Sequence, residues 1–323
     1  MKAIVQEKYG LQDVLALKDV AVPGPKSNEV LVKIHATSVN SWDWDLMTGI
    51  PFSYRLISGL FKPKYKIIGS DIAGTVEEVG DNVTQFKIGD EVFGDISGRW
   101  GGFAEYVCAD ENKLTKKPGD MSFEEAAALP QAAVLAYQGL TEKRKIDKGD
   151  RILINGAAGG VGTYALQMAK NWGAEVTCVD SLEKLDLLKK LGADQVIDYK
   201  MIDFTQNNEK YDLILDVTAK RSVFKIRKAL KAGGAYVVIG GKPSVLLHIV
   251  FVGGLMALFS NKKYGLLMHV ANKNMDTIVD FCQSGKLKSV IDEIYPLKDT
   301  PSALQKIGEG KVQGKVVVKI ADN

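Results

Sequence analysis

The sequence predicts a two-part α/β chain, one part β-rich and barrel-like, the other a doubly wound parallel sheet. Three observations carry this. At 323 residues the chain is longer than one hydrophobic core usually supports. The first 120 residues read as short strands punctuated by Gly, Pro, Asn and Asp, whereas from Ser122 onward strand and helix patterns alternate. Residues 151–162, RILINGAAGGVG, carry a strand into a glycine cluster and then into a helical pattern.

In chain order, the β-rich part offers strands at Ala3–Gln6, Val30–Ala36, Gly74–Val79, Glu91–Phe93 and Glu105–Val107. Helices are expected at Phe123–Leu129 and Val134–Lys143. The alternating part then runs strand Arg151–Asn155, helix Thr163–Trp172, strand Glu175–Asp180, helix Leu182–Leu191 and strand Gln195–Asp198. It continues with strand Leu213–Val217, helix Val223–Leu230 and strand Ala235–Ile239. Such alternation builds a parallel sheet covered on both faces. The tail, Val290–Ile320, reads strand, short helix, strand and is expected to rejoin the first part, making the parallel sheet an insertion.

The glycine cluster is the chemical signal. A turn this tight needs residues without a Cβ, both to reach positive φ and to let the main chain approach a diphosphate. The amides opening the next helix then face the anion. Ala157, Ala158, Gly159, Gly160, Val161 and Gly162 are therefore candidate contacts to a dinucleotide. Other strand ends should face the same ligand. These are Asp180-Ser181 with Lys184, then Asp216, then Ile239-Gly240, with Tyr199 placed either to stack on an adenine or to pack half-buried. Asp180 suits a ribose 2′-hydroxyl, while Ser181 and Lys184 suit a 2′-phosphate.

Composition narrows the class. Hydrophobic residues make up 46% and charged residues 25%, an ordinary globular balance. A net charge of +3, with no basic run longer than Lys143-Arg144-Lys145, argues against a nucleic-acid partner. Cys108, Cys178 and Cys282 are odd in number and far apart, which suits a reducing compartment and excludes a disulfide framework. The N-terminus passes straight into strand-like alternation, so the expected location is cytoplasmic. Pro243–Asn261 carries no formal charge, but Gly253, Gly254 and His248 interrupt it. It reads as a pocket wall or subunit contact, with no integral span and with surface contact to a membrane left open.

Several longer motifs stand in a telling order: SVNSWD (38–43), IIGSDIAGTVEEVGDNV (68–83), FKIGDEVFG (86–94), GGFAEYV (101–107), EEAAALPQAAVLAYQGL (124–140), INGAAGGVGTYALQMAK (154–170), LGADQVIDY (191–199) and GKVVV (314–318). Through them nearly the whole chain resembles the medium-chain dehydrogenase/reductase superfamily, in its zinc-independent quinone oxidoreductase-like branch. The resemblance implies a GroES-like catalytic domain (1–121 and 285–323) and a Rossmann domain (122–284), with NADPH in the cleft between them and a homodimer as the assembly. It also implies contacts from Asn40 and Lys315. Ser181 and Tyr199 match its phosphate-binding pattern, which favours NADPH, while Asp180, where relatives carry a small neutral residue, keeps NADH as the alternative coenzyme. Leu135 stands where relatives commonly carry Thr, and Val217-Thr218-Ala219 follow Asp216 where Asn or Gly is usual.

No metal is expected. Zinc-dependent relatives place Cys where this chain has Asn40 and His where it has Ser70, and His35, His248 and His269 cannot rebuild a thiolate–imidazole set. Hydride transfer to a quinone or an α,β-unsaturated carbonyl needs no Lewis acid, because the charge lands on an oxygen that a hydroxyl or solvent can protonate. Asn40 and Tyr54 are the catalytic candidates, with Tyr137 a further hydroxyl and Asp43 expected to fix the local loop. A nucleotide-binding module with a structural or regulatory role, and a zinc-type alcohol dehydrogenase, are the alternatives.

Overall fold

A computed structural model describes residues Met1–Ile320, which divide into two compact units. The first comprises Met1–Gln131, Ala271–Val279 and the chain from Ile291; the second comprises Ala132–Val270 and Asp280–Val290. The division falls after Gln131 rather than after residue 121, because the helix Phe123–Ala128 packs on the strands of the first unit. There Phe123 stacks on His35, ring centroids 4.3 Å apart.

The first unit is built on a seven-stranded sheet in the order Ile291–Pro296, Lys315–Lys319, Glu29–Val39, Asp71–Val79, Glu91–Asp95 and Thr115–Lys116, with Tyr106–Asp110 also paired to Glu29–Val39. Pairing is antiparallel except between Ile291–Pro296 and Lys315–Lys319. The long strand Glu29–Val39 serves three partners by bending, with register shifts at Leu31/Val32 and Ile34/Ala36. Its alternate residues Val30, Val32 and Ile34 enter one core with Ile72, Val76, Val92 and Val107. A second cluster joins Val39, Leu46, Met47, Ile68, Trp100, Phe103, Leu304 and Val316. The hairpin Lys2–Gln6/Leu15–Asp19 stands beside them.

The second unit holds six parallel strands in the order Gln195–Asp198, Glu175–Asp180, Arg151–Asn155, Tyr211–Asp216, Leu230–Val238, Lys263–Leu266. Numbered along the unit this is 3-2-1-4-5-6, and the order reverses between Arg151–Asn155 and Tyr211–Asp216, where a doubly wound sheet opens its binding crevice. Central strands read as unbroken apolar runs, Ile152-Leu153-Ile154 and Leu213-Ile214-Leu215, because both faces are covered. The edge strand Lys263–Leu266 has no counterpart in the sequence reading. The uncharged stretch before it forms a helix Pro243–His248, a π turn Ile249–Gly253 and a helix Gly254–Leu258. Ile249 is buried in the core with Val245 and Leu246 packed against it, while Phe251, Leu258 and Phe259 are exposed. Among the described residues no helix is long and apolar enough to cross a membrane.

The helix after the glycine cluster starts at Gly160, with Gly159 as N-cap, three residues earlier than the pattern suggests. The close approach at its first turn leaves no room for a side chain. A Cβ on Gly162 would lie 2.4 Å from the Ala157 carbonyl oxygen, main chain that cannot swing aside. Gly162→Ala is therefore expected to lower unfolding free energy by about 1–3 kcal/mol, measured by urea titration.

Candidate active site

In the second unit the glycine turn is held by the neighbouring strand. Gly156, in the left-handed region at φ 79°, and Ala157 both donate their amides to the Val179 carbonyl, at 2.9 and 3.2 Å. The Ala158 amide donates to Asp180 Oδ2 at 2.9 Å. Ala157 and Ala158, expected as ligand contacts through their amides, thus spend them inside the fold. The first amides of an α-helix have no acceptor within the helix, which leaves Gly160, Val161 and Gly162 as the candidate donors to an anion. Bare glycines at 160 and 162 with no room for a Cβ at 162 fit the diphosphate of a dinucleotide.

Asp180 does not stand free. Its Oδ1 accepts the Ser181 amide at 2.9 Å and lies 3.9 Å from Lys184 Nζ. Ser181 is buried, and its hydroxyl bonds to the Glu183 carboxylate, whose pKa is lowered first by the acid's own amide and then by that hydroxyl. Ser181 and Lys184 are therefore engaged with acids of this loop rather than held open. Tyr199 follows the strand paired to Asp180, gives its amide to the Asp180 carbonyl at 3.1 Å and leaves its ring half exposed. Asp216 is fully buried, accepting from Asn155 Nδ2 at 2.7 Å, the Tyr236 hydroxyl at 2.8 Å and the Thr218 amide at 3.2 Å. Burial raises its pKa. This side chain, expected at a strand end facing the ligand, bonds within the sheet. Ile239 gives its amide to the Asp216 carbonyl, and the Gly240 carbonyl accepts from Ala219, which fixes that strand end. Tyr137, partly buried, packs edge-on against Trp172.

The first unit gathers its polar residues where the strand Glu29–Val39 gives way to the helix Ser41–Thr48. Asn40 caps that helix, its amide donating to Asp43 Oδ2 at 2.9 Å, while Asp43 Oδ1 accepts the Gly69 amide at 3.2 Å. Burial pushes Asp43 up to about 8, against the pull of those two amides. Lys315 Nζ, also buried, donates to Asn40 Oδ1 at 2.6 Å and lies 3.4 Å from Asp71 Oδ2. Burial draws the lysine pKa down, and Asp71 and Asp43 oppose that. Asn40 Nδ2 donates to Asp71 Oδ2 at 2.9 Å and to Ser70 Oγ at 3.3 Å. Both amide hydrogens of Asn40 are thereby committed, and its Oδ1 accepts from the Lys315 ammonium. Lys315, expected as a coenzyme contact, is bonded to Asn40. The sequence reading passed over Asp71, the hub of this network, although it stands beside Ser70 in a quoted motif.

Beside this network lies a cavity of about 240 Å³ lined by aromatic and aliphatic side chains, among them Trp42, Leu46, Tyr54, Ile57, Tyr65 and Trp100. Tyr54, singled out from the sequence, reaches it and is hydrogen-bonded to Asp45, which burial raises to about 6. Burial and that carboxylate push Tyr54 up to about 12. Asp45 escaped the sequence reading, because a single acid two residues after Asp43 gives no pattern to read.

Known proteins bear the same pattern. The family described as Alcohol dehydrogenase GroES-like domain matches residues 26–119, and the zinc-binding dehydrogenase family matches residues 191–318. A quinone-oxidoreductase homolog of Spinacia oleracea, chloroplastic, is 34% identical over 99% of this chain and 98% of its own. A 2-methylene-furan-3-one reductase of Solanum lycopersicum is 37% identical over 98% of this chain and 79% of its own. An NAD(P)H oxidoreductase of Danio rerio, mitochondrial, is 31% identical over 100% of this chain and 92% of its own. Among solved structures, the quinone oxidoreductase of Coxiella burnetii superposes with a TM-score of 0.88 at 31% identity over 99% of both chains. A two-unit oxidoreductase, one unit GroES-like and one Rossmann-like, is what fold and sequence together define. The chain belongs to the medium-chain dehydrogenase/reductase superfamily, in its quinone oxidoreductase-like branch.

Removing the Lys315 ammonium leaves Asp71 buried without its counter-charge. Lys315→Met is expected to destabilise the protein by about 3–5 kcal/mol, and Asp71→Asn in the same chain to return part of that, both read by chemical denaturation.

Proposed function

We propose that this oxidoreductase uses NADPH, without a metal, to reduce quinones or α,β-unsaturated carbonyls. The observation that carries the reading is the donor set around Asn40. At the two positions where zinc-dependent relatives place Cys and His, this chain has an amide and a hydroxyl bonded to each other, with a buried ammonium on the same amide. Such neutral and cationic groups are poor ligands for Zn²⁺. The relatives named for quinone and furanone reduction support the acceptor class, and the Danio rerio protein supports a nicotinamide.

Reduced nicotinamide, when bound, supplies hydride to an electron-poor carbon. The protein supplies orientation, exclusion of water and control of a proton. In the second unit Gly160, Val161 and Gly162 would hold the diphosphate and Tyr199 would stack on the adenine. Asp180 is neutralised by Lys184 and by two amides, so it does not bar a 2′-phosphate. The aromatic cavity of the first unit holds the acceptor. With Asp45 protonated, its O–H donates to the Tyr54 oxygen and frees the Tyr54 O–H for the acceptor oxygen; with Asp45 ionised, that hydrogen turns to the carboxylate. The edge strand Lys263–Leu266 and the exposed apolar face before it favour a homodimer, which sedimentation checks. Three cysteines, odd in number and far apart in sequence, suit a cytoplasmic setting, which cell fractionation checks.

The direct test is coenzyme oxidation by enzyme stripped with chelator, using an ortho-quinone or a reactive enal, with NADPH and NADH in parallel. Turnover with kcat/KM higher for NADPH is expected. A higher value for NADH overturns the coenzyme choice, and turnover that needs added zinc overturns the metal-free reading. For the proton, kcat is expected to fall as pH rises through about 6, the value to which burial moves Asp45. Asp45→Asn should remove that limb, and Tyr54→Phe should lower kcat by about 10²-fold or more with KM little changed.

A further inference from the structure

We propose that residues 50–66 form a docking surface for a membrane bearing anionic headgroups. The stretch folds as a short 3₁₀ turn Phe52–Tyr54 and a helical turn Arg55–Ser58, and its apolar side chains point outward. Phe61 is 91% exposed, Leu56 72% and Ile57 69%, with Ile50 and Phe52 exposed beside them. A run of large apolar side chains this bare is unusual for a surface facing water and marks an interaction site.

The charges around it decide what it meets. From Leu46 to Ser70 the sequence carries Arg55, Lys62, Lys64 and Lys66 and no Asp or Glu. Lys62, Lys64 and Lys66 are exposed; Lys66 attracts the exposed Glu7, which Lys18 already pairs, and Arg55 lies over the Tyr9 and Phe52 rings, which leaves Lys62 and Lys64 to face an anionic surface. Exposed Phe, Leu and Ile set beside exposed Lys is the composition of an interfacial segment, in which apolar insertion and attraction to anionic lipid add. A second copy fits less well. A two-fold contact lays a patch on itself, and here that would press cations against cations over the apolar centre. Ile57 and Tyr54 of this stretch also line the aromatic cavity, so the docked face and the cavity are continuous. Vesicle binding is measured without coenzyme or acceptor, so the surface stands or falls apart from the function proposed above.

The test is flotation of the full chain with phosphatidylcholine vesicles, with and without phosphatidylglycerol, at an ionic strength of about 0.05 M, where screening is weak. Binding is expected only with phosphatidylglycerol present. Leu56→Asp with Phe61→Asp, both far out in solvent, should weaken it at least about tenfold at unchanged circular dichroism. Lys62→Glu with Lys64→Glu should weaken it while leaving the apolar side chains in place. Equal binding to both vesicle types, no binding to either, or binding untouched by these pairs would overturn the proposal. So would sedimentation showing a dimer that the Leu56/Phe61 pair dissociates.

Discussion

One buried ammonium organises the first unit. Lys315 sits on the last strand, yet its Nζ reaches Asn40 at the end of the long strand Glu29–Val39 and Asp71 at the start of the next. Asp71 in turn accepts from Ser38 at 2.8 Å, from Asn40 at 2.9 Å and from the Gln131 amide at 3.1 Å. Sequence positions from 38 to 315 are thus tied to one carboxylate. A buried charge pair of this kind contributes little net stability compared with apolar packing, because desolvation offsets the attraction. Its physical effect is specificity of arrangement: each polar atom of the Asn40 side chain has a bonded partner that fixes its orientation.

The second unit applies the same rule at its strand ends. Asp180 and Asp216 terminate strands that face the ligand side, and both carboxylates are consumed internally, one by the amides of the glycine turn and its own loop, the other by Asn155, Tyr236 and Thr218. What remains outward is main-chain N–H at the helix start and small residues at Gly240. A site made of fixed amide dipoles suits a diphosphate because its donors are already oriented and lose no freedom on binding.

Much of this was readable from the sequence, and the boundary of what was readable is physical. Arg151–Asn155, Glu175–Asp180 and Gln195–Asp198 were expected with the bounds the structure shows, since buried parallel strands are short apolar runs between sharp breaks. Lys263–Leu266 escaped because an edge strand is half exposed and its pattern dissolves into the apolar segment before it. The helix Ser41–Thr48 escaped because Trp42, Asp43 and Trp44 blur the helical period, although Asn40 and Asp43 stand at capping spacing. Side-chain roles were the least accessible. The composition around Asp180 shows an acid and a lysine four apart, but not that the acid would face the turn. Nor does Lys315 in a β pattern disclose that its ammonium points inward to a residue far earlier in the chain.

These internal commitments bear on the chemistry proposed. A metal polarises a substrate oxygen directly, which an alcohol losing hydride requires because its proton must also leave. Around Asn40 the groups that could polarise an oxygen are already spent on one another: both amide hydrogens on Ser70 and Asp71, the ammonium on Asn40. The arrangement therefore suits an acceptor that needs orientation more than activation. A conjugated carbonyl is such an acceptor, since hydride at its far carbon sends charge to an oxygen where a single hydroxyl suffices. In the function proposed above that hydroxyl is Tyr54, at the wall of an apolar cavity and beside Asp45, whose pKa burial raises to about 6.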